Sequence, residues 1–188
     1  MNPLARALLV SVVGALAIAV GAQITVPMVP VPMTLQTLAV ITVALIGGPG
    51  GGAGAASAYL LLVLLGLPVL ADGASHGGLG FLFEPTAGYV VGFVPAATAA
   101  GWLARAPGDA LGRLPRSARW LGGGLVAHGL VLAIGVTVLA RHIGAATAIE
   151  HGLLPFLAGA AVKSVAAAGL AAVWGQLAEK VEPSDHPQ

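Results

Sequence analysis

The feature that most constrains the fold is a run of apolar and small residues at 153–176, with one lysine inside it. A helix of this length crosses the hydrocarbon core of a bilayer, which is about 30 Å thick. Lys163 lies near the middle of the run, where inserting a charged side chain costs about 2.5–3.5 kcal/mol. Intramembrane charges usually face the protein interior and contact a polar partner or a ligand. We therefore expect a membrane helix with an inward-facing site for an acceptor or an anion; the alternative is a lysine whose ammonium reaches the interface.

The composition of the whole chain also indicates a membrane protein. Apolar residues make up 57% and charged residues 8% of the 188 residues, whereas a water-soluble domain has about 25% charged residues. Nucleic-acid binding is not expected, because the formal net charge is +1 and the sequence has no basic run. The absence of cysteine excludes disulfides, thiolate catalysis and cysteine-based metal sites.

Six apolar segments can be placed along the chain, since about 20 residues are needed for each span. We expect an all-α membrane protein with one six-helix domain at residues 1–180 and a polar, disordered tail at 181–188. A signal peptide is the alternative for the first segment, but further spans follow it. The charge-free segment 47–54 is predicted to be a tight turn. The predicted spans are 4–22, 35–47, 55–70, 87–103, 120–139 and 153–176.

The distribution of basic residues predicts the orientation of these spans. Cytoplasmic loops carry an excess of lysine and arginine, and tryptophan favours the interface. With the N-terminus inside, only Arg141 lies outside, which predicts a plasma-membrane protein with both termini cytoplasmic. The residues placed at the cytoplasmic side are Arg6, Arg105, Arg113, Arg116, Arg119, Lys180 and the tryptophans Trp102, Trp120 and Trp174.

Two unusual loops fall on the outer side in this topology. The segment 23–33 contains three prolines, which rules out a regular helix and predicts an extended loop, with Thr34 capping the next helix. The segment 71–86 is rich in glycine and carries Asp72 and Glu84. It is expected to fold inward as a lid, with a solvated connecting loop as the alternative. A metal site that adds His76 to these carboxylates is not favoured, because the spacing fits no compact pattern.

Together these loops predict a pocket that opens outward. Lys163 lies about 14 Å along the helix axis from the outer end of the last span. The two loops would therefore cover the pocket, and Lys163 would lie at its bottom. Such a pocket suits a small amphipathic molecule whose anionic or carbonyl end contacts Lys163, with Phe81 or Tyr89 for apolar packing. The candidate binding residues are Thr34, Gln36, Asp72, Glu84, Thr86, Tyr89 and Lys163.

Two further features admit a functional and a structural interpretation. His128 lies well inside the fifth span, and a histidine in such a helix is more often hydrogen-bonded to a backbone carbonyl than catalytic. Ser11, Ala15 and Ala19 recur every four residues on one face of the first helix, where another helix could dock closely, although alanine is common in this chain. No hydrolase motif and no Walker motif is present, so enzymatic activity is not expected and uphill transport would need another subunit or an ion gradient.

Four stretches carry a resemblance to a known family: VPMVPVPMTLQTLAV at 26–40, YLLLVLLGLPVLADG at 59–73, FEPTAGYVVGF at 83–93 and LPFLAGAAVK at 154–163. In this order they resemble the BioY family, the biotin-specific S components of energy-coupling-factor (ECF) transporters. The resemblance implies a six-helix S-component fold without cofactor that captures biotin with high affinity from outside. It also implies a transmembrane T subunit and two ATPase subunits as partners, with Ser11, Ala15 and Ala19 resembling the docking face.

The chain departs from the family pattern at two positions. Ala160 stands where an acidic residue usually precedes the lysine, and Glu84 stands where glycine usually precedes the PTxGY motif. The hypothesis that follows is that Glu84 or Asp72 supplies the carboxylate that Ala160 lacks. The competing interpretations are an S component for another vitamin, an ion-driven solo transporter and a structural membrane protein without a ligand.

Overall fold

The described part of the computed structural model comprises residues 2–73, 78–106 and 113–181, and it is almost entirely helical. A short antiparallel pair of strands, β1 (Thr25–Val26) and β2 (Met33–Thr34), joins the first two helices. Two 3-10 helices, Ala71–Gly73 and Gly78–Phe83, precede the third. The α-helices are α1 (Pro3–Gln23), α2 (Gln36–Leu64), α3 (Ala87–Val91), α4 (Phe93–Arg105), α5 (Arg116–Ile143), α6 (Ala145–Gly152) and α7 (Leu154–Val181).

Helix α2 is a helical hairpin. Gly48 has φ 73° and ψ −173°, which lies outside the helical region. The amide of Gln36 lies 2.6 Å from the hydroxyl of Tyr59, although 23 residues of straight helix would separate them by about 35 Å. The arms 36–47 and 49–64 therefore run antiparallel.

The predicted turn at 47–54 is wrong in its extent. Only Gly48 leaves the helical conformation, and the second arm begins with Pro49. Proline is tolerated at the first position of a helix because the amide hydrogen that it lacks would have no partner there. The third predicted span, 55–70, accordingly begins at residue 49 and ends at Leu64.

The described residues contain six apolar helical segments when the two arms of α2 are counted separately and when α3–α4 and α6–α7 are each taken as one segment, Ala87–Arg105 and Ala145–Lys180. By length and composition four helical segments could cross a membrane, and one of them is α2 taken as a whole across its turn at Gly48. The apolar part of α1 is shorter, at Ala7–Gln23. The prediction of an all-α, six-helix membrane protein is confirmed. The predicted tail, apart from Val181, lies outside the described residues.

Both described ends of the chain lie at the same end of the bundle. Val10 of α1 lies against Gly47 and Gly51, beside the turn of α2. At the other terminus, Trp174 of α7 shares a small cavity with Arg105. The same cavity is lined by Arg116 and Trp120 of α5, and Trp102 lies in the last turn of α4. The three tryptophans therefore share one end, as predicted.

At this end, which we call the closed end and define by Gly48, Gly52 and Gly101, helix backbones contact one another. A Cβ atom added to Gly52 would lie 2.8 Å from Cα of Ala44, on the other arm of α2. A Cβ atom added to Gly101 of α4 would lie 2.5 Å from the backbone nitrogen of Pro49. Real Cβ contacts are longer than this, so these positions require glycine.

The stripe on α1 packs against α2. Ala15 is 3% exposed and belongs to the core, and the hydroxyl of Ser11 lies in the space that a Cβ atom on Gly54 would occupy. Ala19 is half-buried against the same core. The small residues thus allow close packing within the chain, and their role in docking a partner stays a prediction. The exposed face of α1 is formed instead by Leu9, Val12, Val13, Leu16 and Val20.

Candidate functional site

A cavity of about 380 Å³ lies at the end of the bundle opposite the closed end, within the size range of small-molecule sites. We call this region the cavity end; it is defined by the lining residues. Six of the seven predicted binding residues line the cavity, and the seventh, Asp72, has a side chain outside the described part of the structure. The lining comprises Pro30, Val31, Pro32, Thr34, Gln36, Thr37, Leu70, Ala71, Glu84, Pro85, Thr86, Tyr89, Val90, Phe93, His128, Val131, Leu132, Phe156, Ala160 and Lys163.

Both unusual loops contribute to this lining, as predicted. The loop 23–33 supplies its proline-rich segment 30–32, which follows β1 and leads into β2. The second loop folds inward at its two ends, where residues 70–71 and 84–86 face the cavity. Phe83, next to Glu84, is absent from the lining and is 82% exposed. Residues 74–77, which include His76, lie outside the described residues.

Lys163 places an ammonium group at the cavity wall. Its Nζ atom donates to the backbone oxygen of Thr34 at 2.8 Å and lies 3.5 Å from the hydroxyl oxygen of Thr37. Among the described residues both of its hydrogen-bond acceptors are neutral. An ammonium has three donors, so one N–H remains for a ligand. The half-buried charge favours a ligand with a carboxylate or a carbonyl group at this position.

Gln36 connects the two arms of α2 with the loop above them. Its Nε2 atom donates to the Tyr59 hydroxyl, which donates in turn to the backbone oxygen of Val69 at 2.9 Å. The Thr34 hydroxyl donates to Oε1 of Gln36 and accepts from its backbone N–H. The prediction that Thr34 is the cap residue is wrong, because Leu35 occupies the N-cap position and has no side-chain cap; Thr34 precedes it and accepts from the first N–H of the helix. Gln36 is 7% exposed and keeps one amide N–H for a ligand.

Aromatic side chains form the apolar part of the wall. The Tyr89 hydroxyl donates to the backbone oxygen of Gly152 at 2.9 Å, which holds the ring beside Phe156 at a centroid distance of 6.2 Å. Phe93 completes this wall. Phe81 is fully buried in the core and does not line the cavity, so the alternative that it packs against a ligand is wrong.

His128 is hydrogen-bonded to a backbone carbonyl, as predicted, but it also faces the cavity. Its Nδ1 atom lies 3.1 Å from the oxygen of Gly124 and 3.0 Å from Oγ of Ser164. Its Nε2 atom lies 3.1 Å from the hydroxyl oxygen of Thr37. The sequence reasoning did not single out Thr37 or place His128 in the site, because the contact joins residues 91 positions apart.

The fold and the site together define a class of protein, a multi-pass membrane protein that encloses a small-molecule cavity with a cation in its wall. A solved structure, the S-component for biotin from an ECF-type ABC transporter, has the same fold, with a TM-score of 0.74 over 94% of this chain and 95% of that chain at 21% identity. The chain belongs to the BioY family, whose sequence model matches residues 1–180. This membership identifies a transporter protein and not an enzyme.

Curated relatives from bacteria and archaea match most of the chain. The biotin transporter BioY of Thermotoga maritima is 36% identical over 82% of this chain and 86% of its own length. The probable biotin transporter BioY of Pyrococcus horikoshii is 37% identical over 79% of this chain and 83% of its own. The biotin transporter BioY of Rhizobium etli is 34% identical, with coverages of 74% and 75%.

Proposed function

We propose that this chain binds biotin and transports it as the S component of an ECF-type vitamin transporter. The names of the relatives and the fold support the substrate. The main structural support for the proposal is the position of Lys163. Its ammonium lies in the wall of a cavity of suitable size and contacts only neutral acceptors among the described residues.

The cavity lining matches the groups that biotin carries. Biotin has a carboxylate, a ureido ring with two N–H donors and one carbonyl, and an apolar thioether ring. Lys163 offers a charged donor and Gln36 a neutral one, while Glu84 and Thr86 add oxygen acceptors. The apolar ring would pack against the wall that contains Tyr89 and Phe156. Both the carboxylate and the ureido carbonyl are acceptors for Lys163, so either end of biotin could face it.

The distribution of charge supports capture from the outer side. Arg105, Arg116 and Arg119 lie at the closed end with both described chain ends, and basic residues favour the cytoplasm. The cavity end, with the loops that cover it, would then face outward with high affinity for biotin. We propose both termini to be cytoplasmic on this ground.

Energy for uphill transport would come from a T subunit and two ATPase subunits that bind this chain. The long exposed row of apolar residues on α1 is available to lipid or to such a subunit. Docking through Ser11, Ala15 and Ala19 would require α1 to shift relative to α2, because Ala15 is buried against it.

A ligand panel and an uptake assay test this function. Purified chain should bind biotin and leave riboflavin and thiamine unbound; tight binding of another vitamin in place of biotin would refute the substrate. Cells that express the chain should accumulate biotin only with the T subunit and ATPase subunits present. Uptake that is equally fast without an ATPase would instead support an ion-driven solo transporter.

The carboxylate hypothesis has its own test. Glu84 lines the cavity, so Glu84→Gln should weaken biotin binding about tenfold if its charge contacts the ureido group or Lys163. Asp72→Asn is the parallel variant. Normal biotin binding by both variants would show that neither carboxylate contributes to the binding site.

A further inference from the structure

Buried polar groups join three helices at the wall of the cavity. His128 of α5 is 5% exposed and Ser164 of α7 is fully buried. Thr37 of α2 lies between His128 and Lys163, at 3.1 Å from the imidazole and 3.5 Å from the ammonium. These contacts link α2, α5 and α7 through side chains alone.

The donor and acceptor properties of these groups determine the direction of each hydrogen bond in this network. The oxygen of Gly124 can only accept, so Nδ1 of His128 carries the proton. The Ser164 hydroxyl donates to the backbone oxygen of Ala160 at 2.8 Å, so its oxygen accepts from Nδ1 and shares the single Nδ1 proton with the oxygen of Gly124 in a three-centre hydrogen bond. Nε2 of a neutral His128 is then an acceptor, and it receives the hydroxyl proton of Thr37.

The orientation of Thr37 determines what it presents to Lys163. Since its single hydroxyl proton points to His128, its oxygen faces the ammonium with a lone pair. Lys163 then donates at both of its contacts, to Thr34 and to Thr37. Because two of the three N–H bonds of Lys163 are directed at these oxygens, the third N–H has one fixed direction in the cavity.

We propose that His128 is a positioning residue, which through Thr37 holds the Lys163 ammonium in one fixed direction toward the cavity in which biotin binds. This inference rests on the proposed biotin function. His128 need not touch biotin to affect its affinity. Its removal would free the Thr37 hydroxyl to rotate, and Lys163 would lose an oriented acceptor.

Substitutions at position 128 separate this role from a structural one. His128→Leu retains bulk and removes the acceptor, and it should weaken biotin binding about tenfold. His128→Gln retains an acceptor near the position of Nε2 and should stay within about threefold of the wild type. Equal losses in both variants would overturn the proposal, because a packing role does not depend on an acceptor.

A double-mutant cycle supplies the decisive measurement, by titration of biotin on detergent-purified, monodisperse protein. In a Lys163→Ala background, His128→Leu should weaken binding by less than about twofold further, because its effect acts through the missing ammonium. Losses that add in full would overturn the positioning role. A wild type that binds no biotin would refute the proposed function itself, whereas binding with additive losses refutes only this inference.

If His128→Leu does not fold, variants of Thr37 test the positioning role of His128 instead. Thr37→Val should weaken biotin binding and be non-additive with Lys163→Ala, while Thr37→Ser retains the hydroxyl and should restore affinity. Thr42→Val is a matched control on the same arm of α2, because the buried Thr42 hydroxyl has no hydrogen-bond partner among the described residues. It should leave biotin binding unchanged, and an equal loss at both threonines would contradict the proposal.

Discussion

At the closed end the helices contact one another through backbone atoms, whereas at the cavity end hydrogen bonds between polar side chains also connect them. The two arms of α2 show both modes within one element. Near the turn, Gly52 packs directly on Ala44. At the opposite end of the same arms, Gln36 and Tyr59 meet through a side-chain hydrogen bond of 2.6 Å.

This difference separates two tasks of the molecule. Glycine and alanine contacts hold membrane helices together because they allow close packing over a large surface. Side-chain hydrogen bonds keep helices apart and leave room for a ligand between them. We therefore expect substitutions at the closed end to lower stability, and substitutions that reshape the cavity wall or change a polar group facing the cavity to lower biotin affinity more than stability.

The largest effect is expected at Gly101. Gly101→Val would force side-chain atoms into the backbone at Pro49, and no flexible side chain is available to move away. We expect loss of the folded protein, and for Gly101→Ala a decrease in stability of at least about 1–3 kcal/mol. Thermal unfolding in detergent measures this decrease. Gly122→Ala on α5 is the control, since a Cβ atom there meets nothing within 4 Å; equal effects at both glycines would contradict the packing comparison.

Gly135 tests whether glycine has the same importance at the cavity end. A Cβ atom on Gly135 would overlap the ring of Tyr89, which is anchored to Gly152 through its hydroxyl. Gly135→Ala should displace the ring into the cavity and weaken biotin binding about tenfold. Calorimetric titration measures the change. Unaltered affinity would show that the wall containing Tyr89 does not contact the ligand.

Tyr89→Phe should produce a smaller effect, because it keeps the ring and removes one buried hydrogen bond. We expect stability to fall by about 1 kcal/mol, with biotin affinity within about threefold of the wild type. Parallel unfolding and binding measurements separate the two quantities. A large loss of affinity at unchanged stability would mean that the hydroxyl contacts biotin directly.

The smallest effect is expected for Thr42→Val. The Thr42 hydroxyl oxygen is buried without a partner in the described part of the chain, so the exchange removes an unsatisfied polar group of similar shape. Stability should remain the same or rise slightly, as measured by the midpoint of thermal unfolding. A clear decrease would show that the hydroxyl has a partner at this position.

Much of the cavity end could be predicted from the sequence, because its signals are local. A lysine inside an apolar run indicates an inward-facing site by itself, and prolines in 23–33 indicate a non-helical roof. The depth of Lys163 follows from helical rise, which placed it beneath these loops. For these reasons six of the predicted residues line the same cavity.

The remaining features depend on contacts between distant residues. The glycines at 47–54 suit either a turn or a closely packed helix, and in the structure all of them but Gly48 are helical. The backbone at Gly48 and Pro49 packs against Gly101 of α4, a contact between distant residues. Thr37 gains its role from His128, on a helix that the sequence does not place beside it. The sequence likewise does not show whether the apolar ring of Phe81 lines the cavity or packs in the core.

The most direct test of the account is the dissociation constant of biotin for the wild type and for Lys163→Ala, measured in detergent with monodispersity and unfolding temperature as controls. Loss of a charged hydrogen bond corresponds to about 1.5–3 kcal/mol, so we predict binding that is about 10- to 100-fold weaker in a variant that remains folded. Equal affinity in two well-folded proteins would contradict the account, because Lys163 would then have no part in holding biotin.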